Sequence, residues 1–483
     1  MVTKIPLDDF LNAIDERKEY FLKSINFNKK LDLDESETSR EILDFKKSVH
    51  IYSHLDSDGL TSAAILALAL KRANISYQLS VLPQLETKYI EEIKQEIISY
   101  NRFIIFSDFG TGQLGYLKRD LETNNYLILD HHQPENLQEQ PDIFHVNPYY
   151  YNISGESEIS AAGVCYLFAK ALNPKNIDLS SLAIIGALGD MQNKGEKGTF
   201  IGANKSILED AIKIGKITLE RDLAIPRNQP LHIALAYSLP EKLPAISGSE
   251  QNAKLFLSSL QIKMENEWKE RRTLLNLSTN ERKTLLKALI NEGGGGKLMT
   301  NYFNLSNFDP VSDAKEMSKL LNACGRLGFS SLGITSLMGD KESLLKAIDK
   351  NKIFKREISI AIRLAEENIR NYENINTFYH NDINEKIIGT ICSILVHSKE
   401  ELKKKPLIAF ADSDDHSLKV SARADRELVK NGLNLGKILR EVCQKMDILN
   451  PAGGHPPAAG AKIKSMDLKT FIEEVDNAVG EKN

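Results

Sequence analysis

Apolar residues in the first third of the chain fall in short, nearly unbroken runs at 49–52, 103–106, 126–129 and 144–146. Such runs, rich in Ile, Val, Tyr and Phe, predict strands covered on both faces. An alanine-rich apolar stretch at 61–70 predicts a helix after the first run, and 182–188 predicts another. Strands alternating with helices imply an α/β fold built on a parallel sheet with helices on both faces. Ahead of this region, Phe10, Leu11, Ile14, Tyr20 and Phe21 lie near helical spacing and predict a helical packing arm. Residues 252–292 read as an amphipathic, Lys/Arg/Glu-rich helical insertion, closed by the four glycines 293–296. Helix resumes at 314–321 and 341–371. The last hundred residues predict a smaller α/β unit, with strands at 387–396, 407–411 and 418–422 and a helix at 435–446. A Gly/Pro turn at 451–457 and a final strand and helix complete it. The expected division is 1–45 arm, 46–245 parallel-sheet domain, 246–310 insertion, 311–375 connecting helices and 376–483 C-terminal domain.

Ligands of parallel sheets gather at the carboxyl ends of the strands, and polar clusters stand at those ends. His54-Leu55-Asp56-Ser57-Asp58-Gly59 follows the first run, Asp108 the second, Asp130-His131-His132 the third, and Asp190 the helical 182–188. These carboxylates and imidazoles, without a thiol, suit two divalent ions side by side, Mn2+ before Mg2+. Two such ions about 3.5–4 Å apart can activate a hydroxide and clamp the oxygens of an in-line phosphoryl displacement. If the backbone stays extended, His54, Asp56 and Asp58 share one face. His131 and His132 would then point opposite ways and take different roles. A single aspartate after a strand is commonly only a turn or cap residue; four ordered clusters are far harder to explain that way.

Composition excludes several classes. At 483 residues the chain exceeds one ordinary core. No apolar run nears the roughly 20 residues of a membrane span, and the first residues lack a signal-peptide pattern, so a cytoplasmic protein without membrane partners is expected. Cys165, Cys324, Cys392 and Cys443 are scattered, which argues for buried free thiols over zinc ribbons or disulfides. A net charge of −4 means that a polyanion would need a local groove and metal ions. Candidate groups for that exist. Lys419, Ser421 and Arg423 alternate along one strand, and Gly453-Gly454-His455 offers backbone N–H groups beside an imidazole; substrate binding is the favoured reading and a solvated edge the alternative. Arg326 suits either a phosphate or the end of its helix, and Trp268 a base, the core or an interface.

As a set, the four clusters resemble the motifs of the DHH phosphoesterase superfamily. Ser421-Ala422-Arg423 and Gly453-Gly454-His455 resemble the DHHA1 substrate-binding domain. Leu321-Asn322-Ala323-Cys324-Gly325-Arg326 is similar to the segment joining the halves of RecJ-type exonucleases. Leu243-Pro244-Ala245-Ile246-Ser247-Gly248 and the insertion are most similar to archaeal RecJ-like, GINS-associated nucleases. The resemblance implies an exonuclease on single-stranded DNA or RNA, 5′→3′ favoured, serving replication or repair, with GINS or other replisome proteins as partners. The other readings are a phosphodiesterase of short oligonucleotides or cyclic dinucleotides, and a mainly structural replisome subunit. It further implies one metal held by His54, Asp56 and Asp108 and a second by Asp58, Asp108, His131 and Asp190. Asp130 would orient His131, His132 would contact the scissile phosphate, and Arg326, Ser421, Arg423, Gly453, Gly454 and His455 would hold the substrate.

Overall fold

Residues 6–25, 28–32, 40–44, 47–121, 125–134, 136–137, 141–413, 417–448 and 452–481 are described by the structure, a computed structural model. The chain divides into two units, Met1–Gly325 with Ser330–Leu344 and Arg326–Phe329 with Leu345–Asn483.

The first unit opens with α1 (Pro6–Ser24), whose spacing buries Phe10, Ile14 and Phe21 on one face. Helix was expected to about residue 40. Instead β1 (Asn28–Asp32) and β2 (Arg40–Asp44) form an antiparallel pair, because the helical period of α1 does not continue past it. There follow β3 (Val49–His54), α2 (Ser57–Arg72), β4 (Tyr77–Leu82), α3 (Thr87–Tyr100), β5 (Phe103–Ser107), α4 (Leu114–Leu121), β6 (Tyr126–Leu129) and β7 (His145–Val146). These five strands make one parallel sheet in the order β4-β3-β5-β6-β7. The central strands β5 and β6 are buried throughout, as their unbroken apolar runs require. The strand β4 was not anticipated: it lies at the edge, and the polar Gln78 and Ser80 interrupt its apolar residues. Chain direction across the sheet reverses between β3 and β5, which opens a crevice at their carboxyl ends.

Helices α5 (Ala161–Leu172), α6 (Ser180–Gly189) and α7 (Gly202–Lys213) follow, and α2 packs against α5 and α6. The insertion hangs on a two-stranded antiparallel stem of β8 (Ile217–Leu223) and β9 (Met299–Leu305). Between them α8 (Leu231–Ser238), α9 (Glu250–Ser259) and α10 (Thr279–Asn291) surround Leu235, Leu257, Leu274, Leu285 and Leu289. This core begins at Leu223, upstream of the expected 246. Nor is 252–292 continuous helix. The stretch 260–278 leaves the helical path until Ser278 and Glu281 form the capping box of α10. Trp268, at 82% exposure in that stretch, is no core residue. Then come α11 (Ala314–Arg326), α12 (Ser330–Leu337) and α13 (Lys341–Glu367), the last ending four residues short of the expected 371.

The second unit holds β10 (Arg370–Asn371), β11 (Asn376–Tyr379), α14 (Ile388–Ser398), β12 (Leu407–Asp412), β13 (Ser417–Arg423), α15 (Arg426–Lys430), α16 (Leu435–Lys445), β14 (Gly453–His455), β15 (Ala458–Lys464) and α17 (Leu468–Gly480). Its sheet runs β10-β11-β12-β13-β15-β14, packed on one face around Phe410, Val420, Leu439 and Phe471. The expected strand at 387–396 is the helix α14. Because β11 and β12 pair in parallel, the chain needs a crossover between them, and this apolar run supplies it. Gly453-Gly454-His455, expected within a turn, is a short strand, with the turn at Pro456-Pro457; Pro451 lies outside the described residues. All four cysteines are free and buried, as expected. Among the described residues, no helix is long and apolar enough to cross a membrane.

Candidate metal centre

The crevice at the carboxyl ends of β3, β5 and β6 brings the acidic and histidine clusters together. His54 ends β3, and its Nδ1 lies 3.0 Å from Asp56 Oδ2 and 3.4 Å from Asp108 Oδ2. The extended period-two face stops there. Asp56 is the N-cap of α2, accepting the Gly59 N–H on Oδ1 at 2.9 Å. Asp58 therefore stands in the first turn of that helix, not on the strand's face. Its carboxylate is fully buried and accepts the backbone N–H groups of Ala161 and Ala162, so it also sits at the N-terminus of α5.

Asp108 follows β5 in the left-handed region, φ 62°, a conformation that is costly for any residue but glycine. That turn aims its two oxygens at different neighbours. Oδ2 faces His54, whereas Oδ1 lies 3.4 Å from His131 Nε2. The same His131 nitrogen lies 3.3 Å from Asp190 Oδ2 and 3.9 Å from Asp58 Oδ2. His54, Asp56 and Asp108 thus gather their ligand atoms in one group and Asp58, His131 and Asp190 in a second, with Asp108 touching both.

The tautomer of His131 follows from its other nitrogen. Nδ1 is 2.7 Å from the Gly155 carbonyl oxygen, which only accepts, so Nδ1 carries a hydrogen and Nε2 is the nitrogen turned to three carboxylates. That contact is favourable only with a cation among them, either a proton on Nε2 or a bound ion. Burial, then the Asp108 charge, pushes Asp58 up to about 7. Burial and the Asp58 charge raise Asp190 as well, and Asp190 sits at the C-terminal end of α6, where carbonyls already concentrate negative charge. Burial opposes protonation of His54 and His131, yet the surrounding carboxylates raise both. Asp108 Oδ2 is buried without a hydrogen bond. The chain's own groups leave this cluster short of positive charge, and the donor set of hard oxygens and imidazole nitrogens fits divalent ions.

Asp130 behaves differently. Oδ2 accepts the Thr111 N–H at 2.9 Å; Oδ1 accepts the His131 and His132 N–H groups and His132 Nδ1 at 2.8 Å. The expected Asp130–His131 side-chain pairing is therefore replaced by Asp130–His132, because His131 Nδ1 is already taken by Gly155. The Asp130 charge raises His132 against burial and turns its half-exposed ring outward. Thr111 and Asn147 brace this arrangement. Asn147, fully buried, donates to Thr111 Oγ1 and to the His132 carbonyl. Neither was anticipated, although Asn147 follows β7 just as Asp108 and Asp130 follow their strands.

In the second unit, register brings the remaining candidates side by side. Ser421 pairs with Gly460 and Arg423 with Ala458 on β15; β14 sets Gly453 opposite Gly460 and His455 opposite Ala458. Gly454 has φ 138°, open to glycine alone. Arg423 donates to Ser421 Oγ, Ser393 Oγ and the Ala422 carbonyl, and burial pushes its guanidinium down. Lys419 lies on the same face, opposite Lys462; burial lowers it, with Arg326, Lys462 and Arg423 adding to the effect and Glu385 opposing it. Arg326 donates to the Lys386 carbonyl at 3.5 Å. This face is cationic where the crevice is anionic.

Comparison with known proteins agrees with both units. Residues 48–189 match the DHH family, N-terminal domain; 226–294 match the DHH-CID domain; 372–481 match the DHHA1 domain. An uncharacterized protein of Methanocaldococcus jannaschii is 30% identical over 445 residues, 91% of this chain and 95% of that protein. The chain belongs to the DHH/DHHA1 family. This DHH/DHHA1 protein is RecJ-like and a hydrolase of phosphodiester bonds. The single-stranded-DNA-specific exonuclease RecJ of Escherichia coli is 27% identical over 178 residues, 33% of this chain and only 29% of that enzyme. A crystal structure of exonuclease RecJ bound to manganese superposes with a TM-score of 0.58 at 14% identity, covering 97% of this chain and 94% of that one, a likeness of fold.

Proposed function

We propose that this DHH/DHHA1 protein is a metal-dependent exonuclease that removes nucleotides from an end of single-stranded DNA or RNA, 5′ end first. The observation that carries the reading is the two-sided placement of Asp108, with Oδ2 toward His54 and Oδ1 toward His131. His54, Asp56 and Asp108 would hold one divalent ion, and Asp58, Asp108, His131 and Asp190 another, Mn2+ before Mg2+. When bound, such a pair supplies Lewis acidity to the phosphoryl oxygens and lowers the pKa of water.

The chain's own groups do the rest. His132, its Nδ1 held by Asp130, keeps Nε2 available to hydrogen-bond a phosphoryl oxygen of the scissile group. The hydrogen on His131 Nδ1, held by Gly155, fixes that ring as a ligand. Ser421, Arg423, Gly453, Gly454, His455 and Arg326 would hold the terminal nucleotide by charge-assisted and backbone hydrogen bonds. Digestion of single strands of DNA and RNA labelled at either end, with Mn2+ and then Mg2+, tests the reading. A ladder of mononucleotides released from the 5′ end is expected. Cleavage confined to dinucleotides, or none with either metal, refutes it.

A further inference from the structure

Two ends of the first unit's sequence meet beneath the crevice. Asn322, in the last turns of α11, accepts the Ser57 N–H on Oδ1 at 3.0 Å across 265 residues of sequence. Ser57 is the first residue of α2, and its N–H is one of the four that a helix N-terminus leaves unsatisfied. Its neighbours on either side are Asp56 and Asp58. One turn further, Gly325 is buried against the other side of the same loop, where a Cβ would stand 1.7 Å from the Leu55 carbonyl oxygen. Residues 55–57 are thus gripped twice by one helix end: a hydrogen bond to the amide after Asp56 and a backbone contact to the carbonyl before it.

We infer that Asn322, with Gly325, is a positioning residue that sets the Asp56 carboxylate for metal binding. The inference rests on the metal assignment proposed above. Asp56 caps α2 with Oδ1 and turns Oδ2 toward His54, so the carboxylate's direction depends on how Ser57 N–H is anchored. The choice of an amide follows from charge. An acceptor is needed here, and a carboxylate would add another negative group beside Asp56, Asp58 and Asp190. Second contacts of this kind typically alter metal affinity by roughly 10–100-fold.

Calorimetric titration of Mn2+ into the full-length, metal-stripped protein tests this without any substrate. N322A is expected to weaken binding at least about tenfold while the far-UV spectrum is retained. N322D, which keeps the acceptor, is expected to bind more tightly than N322A. G325A, which forces the loop away from α11, should weaken binding in the same direction. A lowered melting temperature with unchanged Mn2+ affinity in N322A would overturn the inference, as would equal affinities for N322A and N322D. If N322A does not fold, the comparison of N322D and N322S decides in its place, with equal and native affinities counting against the inference. D108N serves as reference: native Mn2+ binding there would refute the metal centre itself, whereas loss in D108N with native binding in N322A refutes only the role of Asn322.

Discussion

The crevice and the second unit's sheet face hold charge in opposite ways. In the crevice, carboxylates crowd around imidazole nitrogens, and Asp58 and Asp190 are driven toward protonation. On the sheet face, burial drives Lys419 and Arg423 toward their neutral forms, and Arg326, Lys462 and Arg423 add to the effect on Lys419. Each region therefore has an excess of one charge, negative in the crevice and positive on the sheet face, and under the proposed function their partners are cations and phosphate respectively. Buried like charges mark a site because they cost stability that the fold must offset elsewhere. Reading both regions as one kind of polar surface would miss that their partners differ in sign.

The largest expected effect falls on the anionic side. D108N keeps volume and tolerates the left-handed turn, yet removes the charge that faces both ligand groups. Hydrolysis should fall by roughly 10³-fold or more, with the melting temperature held or raised, as read by end-labelled digestion and thermal unfolding. Salt separates the two regions next. If Lys419, Arg423 and Lys462 meet phosphates, each contact contributes a slope of about −0.7, so a tenfold rise in salt should weaken single-strand binding roughly 100-fold. Fluorescence anisotropy reads this, and a slope near zero removes the cationic face from substrate binding. R423A should raise KM about 10–100-fold, the loss of a charged hydrogen bond of roughly 1.5–3 kcal/mol. Its kcat should change much less; a fall confined to kcat would place Arg423 in the chemistry.

Smaller effects probe the bracing behind His132. N147A strands the His132 carbonyl and leaves the Thr111 hydroxyl with His145 alone, and urea unfolding should show a loss of about 1–3 kcal/mol. Burial pushes His145 down to about 4, below the roughly 6.5 of an unfolded imidazole. A neutral ring favoured by the fold contributes fully above that higher value, and its contribution drains away as pH falls toward 4. Urea melts at pH 7 and 5 should therefore differ less in H145Q than in the parent protein.

Much of this was legible in sequence, for identifiable reasons. β5 and β6 are buried on both faces, so their composition alone marked them, and Asp108 and Asp130 stood out by following them. An edge strand such as β4 meets water and carries no such mark. The run that became α14 is apolar enough for either structure, and only the parallel pairing of β11 and β12 decides it. In the crevice, the place of His54, Asp108 and Asp130 after strands showed which residues converge, whereas Asp190 ends a helix. Which hydrogen bond each makes could not be read in this way. The Gly155 carbonyl that fixes His131 and the Asn322 amide beneath Ser57 come from distant segments, and neither Gly nor Asn announces a partner.

Asp130 spends all its bonding on Thr111, His131 and His132, so its ties run inward to the chain. Asp108 and Asp190 turn their carboxylates to His54 and His131 in the crevice, the groups that the proposed function gives to the metals. Selection for folding alone and selection for hydrolysis would consequently act on different members of the same cluster. A descendant of this chain that gave up hydrolysis would be free to drift at Asp108 and Asp190, and would relieve buried repulsion by doing so. It would keep the aspartate of the triplet long after the chemistry was gone, which makes the survival of Asp130 a poor indicator of activity and the survival of Asp108 a good one.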